Sequence, residues 1–255
     1  MNVFITGASS GIGAALARHY AAQGATLGLV ARRGGALANL AGDLSPASCA
    51  IYVGDVRDSL AIRNAAENFI ERFGAPDIVI GNAGISRGTL TRYAEDNAVF
   101  REVMDTNVLG LLHTFQPFVA TMRAAGRGRL VGIASVAGFR GLPGAAAYSA
   151  SKAAAISYLE SLRVEMRGSG VDVLTLCPGY IKTAMTAKNP YHMPFLLPPD
   201  RAAQLIVSAI EKRRHFCVLP WQMALLSRVF RCMPRPLYDA VFAQAKHKPR
   251  AVPDD

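Results

Sequence analysis

The chain has 255 residues, 51% hydrophobic and 18% charged, proportions that suit one well-packed globular domain and exclude a disordered chain. Its formal net charge is +10, and residues 201–255 alone hold 10 Lys/Arg against 4 Asp/Glu. That basic tail has no nucleic-acid module and no interleaved base-stacking aromatics, so nucleic acid is not an expected partner.

Apolar runs and helical patterns alternate nearly from end to end, as in successive βαβ units feeding a parallel sheet. A first strand is predicted over residues 3–6, then the glycine loop TGASSGIG at 6–13 and a helix over 12–23. Further strands are predicted over 26–31, 50–53, 78–81, 129–134, 171–176 and 216–219, with helices between them. The near-continuous Val/Ile/Leu content of these runs implies helices on both sheet faces. The expected fold is therefore α/β, a Rossmann-like doubly wound parallel sheet of about seven strands, in one domain. Strand one begins close to Met1, so no signal peptide and a cytoplasmic location are expected. The cysteines Cys49, Cys177, Cys217 and Cys232 form no CxxC pair, and His19, His113, His192, His215 and His247 lack metal-ligand spacing. Reduced, mostly buried thiols and no metal are expected.

In such a sheet ligands bind beyond the carboxyl ends of the strands, and the informative residues follow strands. After the first, Gly7, Gly11 and Gly13 allow positive backbone angles and close approach of a ligand. The helix N-terminus beside them offers free N–H groups, so Gly7, Ser9, Ser10 and Ile12 are placed to line a pyrophosphate. After the second strand, Ala31 stands where an acidic residue would hold ribose hydroxyls, and Arg32 and Arg33 follow at once. Two guanidinium forks suit a 2′-phosphate, each charge-assisted bond contributing roughly 1.5–3 kcal/mol. The expected cofactor is therefore NADP(H) rather than NAD(H). Beyond the fifth strand comes Ser135, and Tyr148 and Lys152 share one face of a long helix at i, i+4. The lysine's charge is expected to lower the tyrosine pKa toward neutrality, so that Tyr148 can exchange a proton with a substrate oxygen held by Ser135.

The glycine loop, Asn82-Ala83-Gly84, Asn107, Ser135, Tyr148-x-x-x-Lys152 and Pro178-Gly179 occur in this order and together resemble the single-domain short-chain dehydrogenase/reductase family over nearly all of residues 1–219. The resemblance implies a catalytic tetrad of Asn107, Ser135, Tyr148 and Lys152, with Tyr148 as acid or base and Asn107 anchoring a water. It further implies that Asp55 and Val56 meet adenine and that Asn82, Ala83 and Gly84 support the cofactor. Pro178, Gly179, Ile181 and Thr183 would flank the nicotinamide. A homodimer or homotetramer is also implied, built on the helices around 97–123 and 148–168. The activity expected is carbonyl reduction or secondary-alcohol oxidation; the alternative is a nucleotide-binding regulator or scaffold without turnover.

The segment AMTAKNPYHMPFLLPPD after Thr183 is apolar at Met185, Tyr191, Met193, Pro194, Phe195, Leu196 and Leu197, without a charge cluster, so a hydrophobic small-molecule substrate is expected. Residues 221–245 carry two helical patterns split by Pro234 and Pro236, with Leu225, Leu226, Val229, Phe230 and Met233 on one face. That face is expected to be covered by protein, over the pocket or at a subunit contact; a peripheral membrane contact beside Trp221 is the second reading.

Overall fold

The computed structural model describes residues 1–187, 189–244 and 248–251; His247 and the last four residues of the tail lie outside them. Seven strands are described: β1 (Asn2–Thr6), β2 (Thr26–Ala31), β3 (Cys49–Val53), β4 (Ile78–Gly81), β5 (Gly128–Ile133), β6 (Val171–Pro178) and β7 (Phe216–Leu219). They form one sheet in the order β3-β2-β1-β4-β5-β6-β7, every neighbouring pair parallel. The order reverses between β1 and β4, where Val3 pairs with Ile78 and Ile5 with Ile80. Two crossovers leave that seam in opposite directions, and a crevice opens at its carboxyl end.

The strand period of two divides the core. On β1, Val3 and Ile5 face a layer containing Leu16 and Tyr20 of α1 (Gly11–Ala22), Leu37 of α2 (Gly34–Asp43) and Ile206 of α7 (Pro199–Glu211). Phe4 faces the other side, where α3 (Ser59–Phe73), α5 (Gly110–Ala124) and α6 (Ala146–Glu165) supply Phe69, Phe118 and Leu159. Phe4 lies 5.4 Å from Phe69, edge to face, and 4.8 Å from Phe118. Helix starts follow local chemistry: Asp58 accepts hydrogen bonds from the backbone N–H groups of Leu60 and Ala61, both at 3.0 Å, and caps α3. Pro199 opens α7 with its backbone angle already set for a helix. Between α4 (Asp96–Met104) and α5 the helix widens into one π turn, Asp105–Leu109.

The predicted strands and first helix agree with these bounds to within two residues. Helix α6 opens at Ala146, and Tyr148 sits inside its first turn. Tail helix α8 (Trp221–Cys232) buries Met223 and Ser227 within the chain, whereas Leu225 and Val229 of the face expected to be covered over the pocket or at a subunit contact are more than half exposed, so the chain itself does not cover them. The helix carries apolar residues on two opposite sides, and the pattern alone does not say which one meets the protein. Helix α9 (Arg235–Phe242) follows Pro234. The thiols were expected to be mostly buried; Cys177 is buried, Cys49 and Cys217 are half-buried and Cys232 is exposed.

Candidate active site

The crevice at the seam is a cavity of about 330 Å³ lined from both halves of the sheet. Its floor is the glycine loop. Gly7 has φ 67°, and a Cβ there would lie 2.8 Å from the Ala83 Cα. Only glycine lets the loop after β1 meet the loop after β4 so closely. Asn82 locks the two together, its Nδ2 donating to the carbonyls of Thr6 at 3.0 Å and Gly7 at 3.1 Å. Ser9, Ser10, Gly11 and Ile12 line the cavity, but Gly13 does not. A Cβ on Gly13 would sit 2.3 Å from the Gly7 carbonyl oxygen. Its place in the structure is where helix packs on loop.

At the end of β2 both arginines reach the cavity with different partners. Arg33 donates to Ser9 Oγ at 3.1 Å and Ser10 Oγ at 2.8 Å, so the guanidinium lies over the glycine loop. Arg32 stands 3.7 Å from Asp55, whose carboxylate is held below its usual pKa chiefly by the bond from Arg57, with burial opposing. Arg57 is missing from the expected site. Its signal was the spacing Asp55-x-Arg57, a local ion pair that nothing in the one-dimensional pattern ties to the cavity. Val56, Asn82, Ala83, Gly84, Pro178, Gly179, Ile181 and Thr183 complete the lining that was expected, and Ile85, Thr106, Met185 and Thr186 add to it. The Thr106 hydroxyl is buried and has no hydrogen-bond partner among the described residues.

Ser135, Tyr148 and Lys152 meet at the other end of the same cavity. Ser135 leaves β5 in extended conformation, and its Oγ accepts from Ala137 N at 3.1 Å, which fixes the rotamer. Lys152 is buried and donates to the Ile133 carbonyl at 2.8 Å. Desolvation pulls its pKa down to about 8. Its Nζ lies 5.8 Å from the centre of the Tyr148 ring. The expected lowering of the Tyr148 pKa is not what this geometry produces. Burial pushes the phenol up, with the Ser135 hydroxyl opposing, because the ammonium is directed at a carbonyl rather than at the phenol oxygen. Cys177 is pushed up to about 12 by burial, which makes it a poor nucleophile.

Asn107 lies outside the cavity lining, in the π turn. Its Oδ1 accepts from Ile85 N at 2.8 Å, and its Nδ2 donates to Ile85 O and Ser151 Oγ, both at 2.9 Å. Ser151 Oγ donates in turn to the Tyr148 carbonyl at 2.8 Å. The widened turn, of a kind that recurs at functional sites, points this amide inward and ties the loop after β4 to the first turns of α6.

A parallel sheet with a glycine loop at its switch point, and a serine, tyrosine and lysine converging beside it, defines a dinucleotide-binding oxidoreductase fold. Residues 1–193 match the family model described as short chain dehydrogenase, and the chain belongs to that family. An uncharacterized oxidoreductase of Myxococcus xanthus is 37% identical over 238 residues, 92% of this chain and 94% of that one. A short-chain dehydrogenase/reductase from Burkholderia phymatum, solved in complex with NAD, superposes with a TM-score of 0.82 at 25% identity, covering 98% of both chains. An alcohol dehydrogenase from Thermococcus sibiricus, complexed with 5-hydroxy-NADP, gives 0.76 at 27% identity over 86% of this chain and 95% of the other. The protein is thus an enzyme, a nicotinamide-dinucleotide-dependent oxidoreductase.

Proposed function

We propose that this enzyme is an NADP(H)-dependent carbonyl reductase or alcohol dehydrogenase acting on hydrophobic ketones or secondary alcohols. The observation that carries the proposal is a single cavity with Arg32 and Arg33 at one end and Ser135, Tyr148 and Lys152 at the other. The residues fit a dinucleotide: the glycine loop lines the cavity beside the N-terminus of α1, whose free N–H groups suit a pyrophosphate, and the buried Thr106 hydroxyl on the same lining has no partner among the described residues. Gly7, Ser9, Ser10, Gly11 and Ile12 would hold the phosphates, Arg32 and Arg33 the 2′-phosphate, and Asp55 and Val56 the adenine end. Asn82, Ala83 and Gly84 would support the cofactor's middle, and Pro178, Gly179, Ile181 and Thr183 would flank the nicotinamide. Bound there, the cofactor supplies the hydride.

The chain's own residues do the rest. Ser135, its rotamer set by Ala137 N, donates to the substrate oxygen and stabilises charge developing there. Tyr148 gives that oxygen a proton, and its raised pKa keeps it in the donor form, which favours reduction. Lys152 spends one N–H on Ile133 O and keeps two for the ribose hydroxyls and the phenol. Asn107 holds the loop after β4 against α6 and so positions Tyr148. Met185 reaches the cavity from the apolar segment, which supports an apolar substrate.

The proposal includes self-association through α5 and α6, beside which Leu109 is 45% and Val164 59% exposed. Among the described residues no helix is long and apolar enough to cross a membrane. The test is NADPH oxidation with a panel of ketones of increasing alkyl length, against Tyr148→Phe as control. Loss of the proton donor should lower kcat by about 10²–10⁴-fold with NADPH affinity kept. Turnover of Tyr148→Phe within twofold of wild type, when chemistry limits the rate, removes Tyr148 from the role.

A further inference from the structure

The C-terminal segment returns to the active-site side of the molecule and lies on the loop after β4. Ala251 N donates to the Gly88 carbonyl at 3.1 Å, and Arg250 forms a parallel bridge with Gly88. A Cβ on Gly88 would lie 2.1 Å from the Pro249 carbonyl oxygen, so the two backbones touch where only glycine leaves space. Lys248 Nζ donates to Ser86 Oγ at 2.9 Å. Arg250 makes the strongest attachment. Its Nε lies 3.1 Å from both Asp96 oxygens, and its Nη2 reaches Asp96 Oδ1 at 2.9 Å and Glu95 at 3.0 Å. The guanidinium carbon stands 3.7 Å above the centre of the Tyr93 ring. Asp96 is only 3% exposed, and its other bond holds Leu90 N at 2.7 Å.

The loop held this way is fastened on its other side to the helix that carries the tyrosine and lysine. Thr89 N donates to the Gly144 carbonyl at 3.1 Å, and Ala147 N donates to Thr89 Oγ1 at 3.4 Å. Gly144 to Ala147 form the entry to α6, one turn before Tyr148. Asn107 fixes the same loop at Ile85. Loop 85–96 is therefore clamped from three directions, and Arg250 closes the one not covered by the π turn or α6.

We propose that Arg250 is a positioning residue: by pairing with buried Asp96 it holds loop 86–96 against the start of α6 and so sets where Tyr148 stands relative to the substrate oxygen. A misplacement of about 1 Å at a reacting group can cost on the order of a hundredfold in rate. An unpaired Asp96 would draw water or shift, and Leu90 and Thr89 would move with it. Arg250 makes none of the described contacts with the cavity lining, so cofactor affinity stands apart from this effect.

The kinetic arm rests on the ketone-reductase reading above; the exchange arm does not. In the full chain, Arg250→Ala is expected to lower kcat with the best ketone about tenfold or more while the NADPH dissociation constant stays within about twofold. Arg250→Lys, which keeps the charge but not the fork, should recover part of that loss. In an Asp96→Asn background the same Arg250→Ala change should add little, because the pair is already broken. Hydrogen exchange should quicken at the amides of 86–96 and 145–149 in Arg250→Ala and not in β1 or β2. Unchanged kcat, with or without faster exchange, overturns the positioning role. So does a loss of NADPH affinity in step with kcat, which marks general unfolding. Wild-type protein inactive toward every ketone would sink the ketone-reductase reading instead, and unchanged exchange would then still overturn the clamp.

Discussion

Lys152 concentrates the residue-scale chemistry. A buried ammonium with a pKa of about 8 is protonated at neutral pH and loses its charge just above it. Burial raises the Tyr148 phenol, so the donor needed for ketone reduction persists to higher pH than the lysine's charge. The sign follows: kcat/KM for reduction is expected to be level below the lysine pKa and to fall as pH rises through about 8 in the free enzyme. Replacing Lys152 by Met should remove that limb along with most of the activity, and a pH–rate profile of both proteins decides it. At the cavity's other end, Arg32 and Arg33 divide their tasks. Arg33 is already engaged with the glycine-loop serines, whereas Arg32 is 52% exposed beside Asp55. Arg32→Asp removes a phosphate partner and adds a repelling charge, and should lower the NADPH-over-NADH affinity ratio by about tenfold or more. An unchanged ratio in fluorescence titrations would take Arg32 out of the recognition.

Helix caps and loop ties act one scale up. Asp58 satisfies two free N–H groups at the start of α3, the helix that brings Phe69 against Phe4. Asp58→Ala should cost about 1 kcal/mol of stability, read as a shift of the urea midpoint at unchanged slope. It should leave ketone turnover intact, since α3 sits away from the cavity lining. The tail helices bear on the site more directly. Met223 of α8 packs against Gly179, where a Cβ would lie 2.6 Å from its Cγ. Arg140 donates to the carbonyls of Phe230 and Met233 and lies 4.0 Å from the centre of the Tyr238 ring, while Tyr238 Oη donates to Gly141 O at 2.7 Å. Thus α8 and α9 brace the segment between Ser135 and Tyr148 from outside.

For the molecule as a whole, the dinucleotide half and the tail are separable in sequence but not in packing. Every proposed cofactor contact precedes residue 184, and α8 and α9 follow β7. A chain ending after Pro220 is expected to lose turnover of long-chain ketones more than NADPH affinity. It should also expose the surface under Met223 and Tyr238 and associate. Kinetics with short and long alkyl ketones, NADPH titration and sizing in solution check this together; a soluble, fully active shortened protein would show that the tail does not support the site. Outward, Trp221, Leu225 and Val229 form an exposed stripe on α8, and they are 72%, 59% and 53% exposed.

The alternation of strand and helix, the placement of glycines at the first turn and the i, i+4 tyrosine and lysine are local patterns, and the sequence alone determines them because each depends on neighbours within a few residues. That is why the seven strands and most of the cavity lining were legible. What only tertiary structure decided depends on groups distant along the chain. Gly13 packs on Gly7, Asn107 holds Ile85 and Ser151, and Asp55 is neutralised by Arg57 as well as Arg32. Helix periodicity showed that α8 is apolar, but which of its two apolar sides faces inward was set by Gly179 and Arg140 on other elements. The Lys152 ammonium turned from Tyr148 to Ile133 O for the same reason: the carbonyl at the end of β5 is brought beneath it by the sheet, and a buried charge takes the nearest acceptor that satisfies it.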